Sequence, residues 1–207
     1  MELPATKCRT VPFCFYICQA SFRNMKFIPT AISGLYEIEL NVFKDNRGWF
    51  ARTYCKNEFA EIGHNKEWTQ LNHSFTAKKG AIRGMHYQIA PFHEIKMVRC
   101  IAGAVYDVAV DLRSGSPTFL HWHGTILSAE NKRMLYIPEG FAHGFQTLEE
   151  HSELIYHHTS FYTPNSEGGL RYDDPKLAIP WPLPLSEISE RDLNHPLLNS
   201  TFESIKL

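Results

Sequence analysis

Apolar and polar residues alternate through much of the chain, with the period of a β-strand. The alternation is clearest at 35–42, and strand-like runs recur at 68–75, 81–88, 94–102, 104–112, 119–128, 134–137 and 154–159. Turn sequences separate these runs, and only 57–62 has the pattern of a short capped helix. Many short strands spaced about 8 to 12 residues apart are typical of an antiparallel sandwich or barrel. The sequence therefore predicts an all-β fold, with an irregular tail after Pro164 where proline and turn residues predominate.

One predicted strand carries acids on a face that should be covered. In 104–112, Asp107 and Asp111 alternate with Val108 and Val110, which predicts that both faces of the strand have buried neighbours. An unpaired buried charge costs several kcal/mol, so these carboxylates need partners. We therefore expect a polar pocket inside the barrel.

Composition limits the partners of the chain. Its 207 residues carry a formal net charge of -1, which does not favour nucleic acid or an anionic membrane as a partner. No apolar run reaches the roughly 18 residues that a membrane-spanning helix needs. The 5 cysteines are odd in number and lack paired spacing, so a reducing cytoplasm fits better than a disulfide framework.

The beginning of the chain differs from the rest. Residues 1–24 contain basic residues before an apolar stretch, loosely as in a signal peptide, but Pro12 and Gln19 interrupt that stretch. A second start is available at Met25, where the alternating pattern begins. We expect residues 1–24 to be a disordered extension or a mis-assigned start, and residues 25–207 to form one domain.

Histidines mark three segments with candidate chemistry. They are His86 within 82–88, His93 beside Glu94, and His143 in a Pro-x-Gly-x-x-His motif that resembles those of cupin barrels. Cupin histidines often bind iron, manganese or zinc, so a metal site is one interpretation. However, the second histidine of the usual cupin motif is missing after His86. From its position alone, His86 is equally well explained as a buried core histidine.

An ordered series of motifs along most of 25–198 resembles the dTDP-4-dehydrorhamnose 3,5-epimerases and their nucleotide-sugar relatives. The motifs are Asp45-x-Arg47-Gly48-x-Phe50, Gln70-x-Asn72-x-Ser74, Arg83-Gly84-Met85-His86-Tyr87-Gln88, Lys96, Tyr136-Ile137-Pro138-Glu139-Gly140-Phe141-Ala142-His143-Gly144-Phe145, Tyr156, Asp173-Asp174-Pro175, Trp181-Pro182 and Ser189-x-Arg191-Asp192. The resemblance implies a jelly-roll (cupin) homodimer without metal or other cofactor. Its implied reaction inverts C3, C5 or both of a nucleoside-diphosphate 4-keto-6-deoxy-hexose.

The resemblance also implies how four side chains share the reaction. His86 would remove a proton beside the ketone, while Asp192 orients the imidazole and balances its charge. Tyr156 would return a proton on the opposite face of the sugar ring, so that the stereocentre inverts. Lys96 would stabilise the negative charge on the ketone oxygen. Without the resemblance, Tyr156 and Lys96 would be ordinary strand residues and Asp192 a solvated turn acid.

Further positions match binding residues of the family, although each could instead be a packing or turn residue. The matches are Arg47 and Arg83 for the diphosphate, Phe50, Gln70 and Asn72 for the nucleotide side of the cleft, and Tyr162 near the sugar. His143 and Asp107 match a second histidine–aspartate pair, which would support the pocket or assist the enolate. A planar guanidinium suits phosphate better than an ammonium does. These matches predict a cleft that binds a nucleotide sugar.

One position departs from the family pattern. The rhamnose-pathway enzymes usually continue the turn as Arg-Gly-x-Phe-x-Glu, with the acid contacting thymidine, whereas this chain has Arg52 at that place. A guanidinium reverses the charge and can only donate hydrogen bonds. We therefore count Arg52 among the substrate-binding residues and leave the nucleotide open between dTDP, GDP, CDP and UDP.

Two other functions compete with the epimerase. A metal-dependent cupin dioxygenase or isomerase would use His86, Glu94 and His143. A catalytically silent barrel would bind a nucleotide sugar without exchanging a ring proton. The presence of both a base and an acid candidate argues against the silent barrel.

Overall fold

The computed structural model describes residues 25–199 and 202–207, and the predicted extension 1–24 lies outside these ranges. No helix in the described part is long and apolar enough to cross a bilayer. In chain order the elements are β1 Lys26–Pro29, β2 Tyr36–Glu39, β3 Val42–Asp45, β4 Gly48–Ala51, α1 Lys56–Ala60, β5 Gln70–Thr76, β6 Ile82–Gln88, β7 Lys96–Ala102, β8 Ala104–Asp111, β9 Trp122–Ser128, β10 Met134–Ile137, β11 Phe141–Thr147, β12 Ser152–His158, a 3-10 helix Pro164–Ser166, β13 Glu167–Gly169 and α2 Glu190–Leu193.

The strands form two large antiparallel sheets. One has the order β1-β2-β10-β7-β12-β5 and the other the order β13-β6-β11-β8-β9. The sheets face each other as a cupin-like jelly roll, so the prediction of an antiparallel all-β barrel is confirmed. Strands β5 and β13 are edge strands, and β3 and β4 pair only with each other in a separate ribbon.

The alternating run 35–42 is not one strand, as the sequence predicted, but two. β2 ends at Glu39 in the six-stranded sheet, and β3 begins at Val42 in the ribbon. Alternation continues through the break because a period of two residues does not specify which sheet a strand joins. The carboxylate of Asp45 accepts a hydrogen bond of 2.8 Å from the backbone N–H of Arg47, which closes the turn into β4.

An apolar core fills most of the space between the two sheets. Val98 and Leu154 of the six-stranded sheet pack there with Val105 and Phe145 of the five-stranded sheet. Burying one such side chain stabilises the fold by about 1.5–3 kcal/mol. The remaining space, at the β5 edge of the barrel, is polar. The predicted polar interior is therefore confined to one part of the barrel.

The outer faces of both sheets are covered as well. Val108 and Val110 of β8 pack against Leu177 and Ile179 of the C-terminal tail, which confirms that both faces of this strand are buried. On the six-stranded sheet, Phe59 of α1 belongs to a third apolar cluster. The tail thereby reaches across the barrel and can deliver side chains to the polar end.

Asp111, the second acid predicted to need a partner, is not among the residues of the polar cavity. Its carboxylate accepts hydrogen bonds from Arg113 (2.8 Å), Ser116 (2.6 Å) and Thr118 (2.7 Å). Burial opposes the charge of this carboxylate, but the three donors outweigh burial and lower the pKa of Asp111 to about 2. This acid therefore stabilises the loop that follows β8.

Candidate active site

A polar cavity of about 390 Å³ opens between the two sheets at the edge strand β5. It brings together most of the predicted site residues from distant parts of the sequence. Those that line the cavity are Gln70, Asn72, Arg83, His86, Lys96, His143, Tyr156 and Tyr162. Asp192 and Asp107 lie directly behind two of the lining histidines.

A bulge in β6 explains how Arg83 and His86, three residues apart, face the same cavity. His143 pairs with His86 and Phe145 pairs with Arg83, so β6 carries one extra residue between these pairs. Gly84 has a φ of +122°, and a Cβ there would lie 2.5 Å from Cα of Gly144. The position therefore requires glycine. Regular alternation would have placed Arg83 and His86 on opposite faces.

Asp192 is positioned by α2 and by the bulge. Ser189 caps the helix by accepting a hydrogen bond from the N–H of Asp192 (3.1 Å), which fixes the backbone of that residue. One carboxylate oxygen then accepts the N–H of Gly84 at 3.0 Å, and the other lies 2.7 Å from Nε2 of His86. The tail and the barrel are thus joined at a histidine–carboxylate pair.

Arg191 also lies close to this pair, and its contacts bear on which ring nitrogen of His86 carries the proton. The guanidinium lies 2.9 Å from Nε2 of His86 and 3.3 Å from the Asp192 carboxylate. A guanidinium can only donate, so Nε2 cannot bond with Arg191 and also donate to Asp192. Each contact has one ionised partner, and the contact with the carboxylate is the shorter of the two, at 2.7 Å. Nε2 therefore carries the proton, and Nδ1 is the basic nitrogen of His86.

The charge of Asp192 supports this assignment. Burial alone would raise the pKa of its carboxyl, but the hydrogen bonds from His86 and Gly84 and the nearby charge of Arg191 hold that pKa well below its usual range. The carboxylate is ionised, so it orients the imidazole and can balance a positive charge on it.

Tyr156 faces the cavity from the opposite sheet. Its hydroxyl is hydrogen-bonded to the Ser74 hydroxyl at 2.9 Å. Burial strongly raises the pKa of Tyr156, so the phenol keeps its proton at neutral pH. A base on the five-stranded sheet and an acid on the six-stranded sheet can reach opposite faces of a ring held between them.

Lys96 and Glu94 form a partly buried ion pair on the cavity wall. Their charged atoms are 3.2 Å apart, and only 12% and 13% of the two side chains are exposed. Burial would raise the pKa of Glu94, but Lys96 and the hydrogen bond from His158 outweigh it and lower that pKa to about 2. The cavity therefore contains a fixed ammonium group beside an ionised carboxylate.

His143 and Asp107 form a second histidine–carboxylate pair, as predicted. Both carboxylate oxygens of Asp107 lie 3.0 Å from Nε2 of His143, and both side chains are buried. Burial lowers the pKa of His143, although Asp107 opposes this effect. The ring of His143 also contacts the ring of Tyr156 edge to face, with centroids 6.3 Å apart.

Three predicted binding residues are not among those that line the cavity of their own chain. Arg47 and Phe50 lie on the β3–β4 ribbon, where Arg47 is paired with Asp45 and Phe50 is exposed. Arg52, the departure from the family pattern, is paired with the buried Glu58 of α1. Arg52 thereby has a structural contact that the sequence did not predict.

Each residue proposed for a metal has a side-chain partner of its own. The residues of that alternative, His86, Glu94 and His143, do share the cavity. Their partners are Asp192 for His86, Lys96 and His158 for Glu94, and Asp107 for His143. The three residues therefore belong to three separate polar contacts.

The sequence indicated no role for Ser74, His158 or Arg191. Arg191 adjoins Asp192, and His158 lies two residues after Tyr156 on the same face of β12. Alternation along the predicted strand 154–159 was the available indication for His158. For Ser74, the hydrogen bond to Tyr156 depends on the pairing of β5 with β12, which one sequence does not reveal.

The sequence profile of the family described as dTDP-4-dehydrorhamnose 3,5-epimerase matches residues 29–200. The chain belongs to this epimerase family. It is 48% identical over 177 residues to the dTDP-4-dehydrorhamnose 3,5-epimerase of Salmonella typhimurium, covering 84% of this chain and 96% of the relative.

Solved structures of dTDP-4-dehydrorhamnose 3,5-epimerases and their relatives have the same fold. The enzyme of Bacillus anthracis, crystallised with TDP and PPi, matches with a TM-score of 0.82 and 41% identity, covering 84% of this chain and 99% of that one. The dTDP-6-deoxy-D-glucose-3,5-epimerase of Legionella pneumophila, in complex with dTDP-4-keto-L-rhamnose, matches with a TM-score of 0.82 and 42% identity, covering 86% and 95%. The protein is therefore an enzyme of the epimerase type.

Proposed function

We propose that this epimerase inverts C3, C5 or both of a dTDP-linked 4-keto-6-deoxy-hexose. One observation carries the proposal: His86, bonded to the Asp192 carboxylate, and Tyr156, bonded to the Ser74 hydroxyl, face one cavity from opposite sheets. The names of the relatives support the nucleotide and the sugar class. The product would supply the synthesis of deoxysugar-containing polysaccharides or glycosides.

The proposed reaction moves two protons and returns all electrons to their starting bonds. Nδ1 of His86 takes the proton from the carbon beside the ketone, and the C–H electrons form the enolate. The negative charge on the ketone oxygen is stabilised by the ammonium of Lys96. The Tyr156 O–H then delivers a proton to the other face of the same carbon, and the ketone re-forms. Solvent exchange restores His86 and Tyr156.

Exchange of ring hydrogens with solvent tests this reaction. The purified enzyme is incubated in D2O with dTDP-4-keto-6-deoxy-glucose, and the sugar is analysed by mass spectrometry and NMR. We expect deuterium at one or both carbons beside the ketone, and loss of this exchange in His86→Ala. One labelled carbon would identify an enzyme that inverts a single centre. Absence of exchange with any 4-keto nucleotide sugar would contradict the proposal.

We also propose that a second copy of the chain completes the site. Leu71 and Phe75, which alternate with the cavity-lining residues along β5, and Phe50 of the ribbon are each more than half exposed. Exposed apolar groups of this size favour a protein interface. The ribbon of one protomer would then bring Arg47 and Phe50 to the cavity of its partner, where the diphosphate and nucleotide need them.

Mixing two inactive variants tests the shared site. Arg47→Ala and His86→Ala are unfolded and refolded together, so that mixed dimers form. A mixed dimer has one site with an intact His86 and an intact Arg47 only if these residues come from different protomers. We expect recovery of about one quarter of the wild-type activity in a random mixture of dimers. An unchanged, low activity in the mixture would show that each site is built from one chain.

The nucleotide preference can be measured by ligand-induced stabilisation. A ligand that binds only the folded protein raises its melting temperature. We expect dTDP to raise it more than GDP, CDP or UDP at equal concentration. Arg52→Glu is the matched variant: because Arg52 contacts Glu58 of α1, we expect it to lower the melting temperature of the unliganded protein. A reversal of the nucleotide order in this variant would assign base recognition to position 52.

The cysteines are consistent with the cytoplasm as the proposed compartment. Within the described residues, Cys55 and Cys100 are both free thiols. Burial raises the pKa of the Cys100 thiol to about 11, so it is unreactive at neutral pH. Free cysteines without disulfide partners are typical of proteins from reducing compartments.

A further inference from the structure

Lys96 lies in line with two other polar residues across three neighbouring strands. His158 of β12 pairs with Lys96 of β7 on one side and with Gln70 of β5 on the other. Directly paired residues in antiparallel strands point to the same face of the sheet. All three residues line the cavity, together with Glu94 and Asn72.

These residues are linked by a series of hydrogen bonds in which each donor and each acceptor can be assigned. The backbone N–H of Tyr162 can only donate, so the side-chain atom of Gln70 that faces it at 3.1 Å is the amide oxygen. The amide nitrogen of Gln70 then donates to the oxygen of Asn72 at 3.0 Å. This places the nitrogen of Asn72 against Nε2 of His158, at 3.3 Å, so Nε2 must accept. The chain of bonds therefore requires a neutral His158.

The Glu94 end of this series of hydrogen bonds also requires a neutral His158. Glu94 is ionised, and a carboxylate can only accept, so Nδ1 of His158 carries the proton in the 2.6 Å contact with Glu94. The second oxygen of Glu94 accepts from Lys96 at 3.2 Å. Each oxygen of this carboxylate thus has one assigned donor, and both ends define the same tautomer of His158.

Glu94 can hold Lys96 in one place only while His158 occupies its other oxygen. Glu94 and Lys96 are nearly buried, so water is a poor replacement for a lost partner. Without the His158 bond, the carboxylate can turn and take the ammonium with both oxygens. A shift of about 1 Å in a group that stabilises a transition state can cost up to 100-fold in rate.

We propose that His158 is a positioning residue, which acts through Glu94 to hold the ammonium of Lys96 where the enolate oxygen develops. The inference rests on the role of Lys96 proposed above. It predicts that removing the hydrogen bonds of His158 lowers kcat through Lys96 and leaves substrate binding largely unchanged.

His158→Phe and His158→Gln form a matched pair of variants. The rings of His158 and Tyr156 are stacked, with centroids 6.1 Å apart and an angle of 28°. Phe keeps this packing and removes both hydrogen bonds, whereas Gln keeps one donor and one acceptor. We expect kcat to fall about tenfold in the Phe variant with KM within about twofold, and to stay within about threefold of wild type in the Gln variant.

A double-mutant cycle with Lys96→Met tests whether His158 acts through Lys96. We expect Lys96→Met to lower kcat about 100-fold. In that background, His158→Phe should add less than about a twofold loss, because the group that it positions is already gone. Solvent-deuterium exchange provides a second measure of the same step, and melting curves show that each variant is folded. If His158→Phe does not fold, His158→Met, which is also unable to form these hydrogen bonds, has the same expected result.

The outcomes separate this inference from the proposed function. A wild-type kcat in the Phe variant, or a full tenfold loss in the Lys96→Met background, would overturn the positioning role alone. A wild-type kcat in Lys96→Met itself would overturn the oxyanion role of Lys96 and the inference that rests on it. A Gln variant as impaired as the Phe variant would also contradict the requirement for one donor and one acceptor.

Discussion

Two histidine–carboxylate pairs meet at one cavity, but they are built for different tasks. The side chain of His86 is 24% exposed, and Asp192 binds it with one oxygen while the other holds Gly84. The side chain of His143 is only 6% exposed, and both oxygens of Asp107 face the same nitrogen. In the proposed reaction, the more exposed pair exchanges a proton with the bound sugar. In the less exposed pair, burial lowers the pKa of His143, and we propose that this pair supports the cavity wall.

The test with the largest expected effect replaces one of the two histidines at a time. His86→Gln should lower kcat by about 1,000-fold, because an amide cannot accept the substrate proton. The matched control His143→Gln should lower kcat by no more than about tenfold, since glutamine can still donate to Asp107. Steady-state rates and deuterium exchange measure both effects. Equal losses in the two variants would remove the distinction between the pairs.

The carboxylates should differ in the same way. Asp192→Asn should lower kcat about 100-fold, because the amide can still accept from Gly84 but presents a donor to His86 and reverses its tautomer. Asp107→Asn should instead act mainly on stability, with a loss of about 1–3 kcal/mol. Denaturant unfolding and kcat, measured on both variants, separate the two effects. A stability loss confined to Asp192→Asn would contradict the assignment.

The pH dependence of stability should show that His143 is neutral in the folded protein. Burial lowers the pKa of His143 in the folded protein. Below about pH 6.5, His143 is therefore protonated in the unfolded chain and still neutral in the folded protein. Stability is therefore lost as pH falls from about 6.5 towards the folded pKa. We expect the melting temperature of the wild type to fall more between pH 7 and pH 5.5 than that of His143→Gln. Identical decreases would show that His143 is not held neutral by burial.

Asp111 offers a smaller effect outside the cavity. Its pKa is about 2 in the folded protein, so its contribution is present above the unfolded value near 4 and is lost as pH falls towards 2. Asp111→Asn should destabilise the protein by about 2 kcal/mol at pH 7, with wild-type kcat. The difference should disappear near pH 2. Unfolding curves across this range measure it, and a difference that persists at pH 2 would point to packing instead of charge.

The sequence predicted the all-β fold and most of the strands, because alternation reports which side of a strand is covered. It did not predict the break between β2 and β3 or the bulge in β6, since both depend on pairing between distant strands. The bulge is the reason that Arg83 and His86 share the cavity.

The chemistry of the site was predicted only as far as the family motifs reached. The pairing of His86 with Asp192 came from the resemblance, because the residues are 106 positions apart. The hydrogen-bonded chain from Tyr162 to Lys96 was not predicted. Gln70, Asn72, Lys96 and Tyr162 were predicted singly as site residues, but the bonds that join them through His158 depend on three strands that lie side by side. The sequence also did not predict that Arg47 lies outside the residues that line the cavity.

The capped helix α2 also has a consequence for local opening of the structure. With four residues, α2 depends on its Ser189 cap and on the bonds of Asp192 to β6 rather than on its own length. Local opening of this segment would separate the Asp192 carboxylate from His86 while the strands of the barrel stay paired.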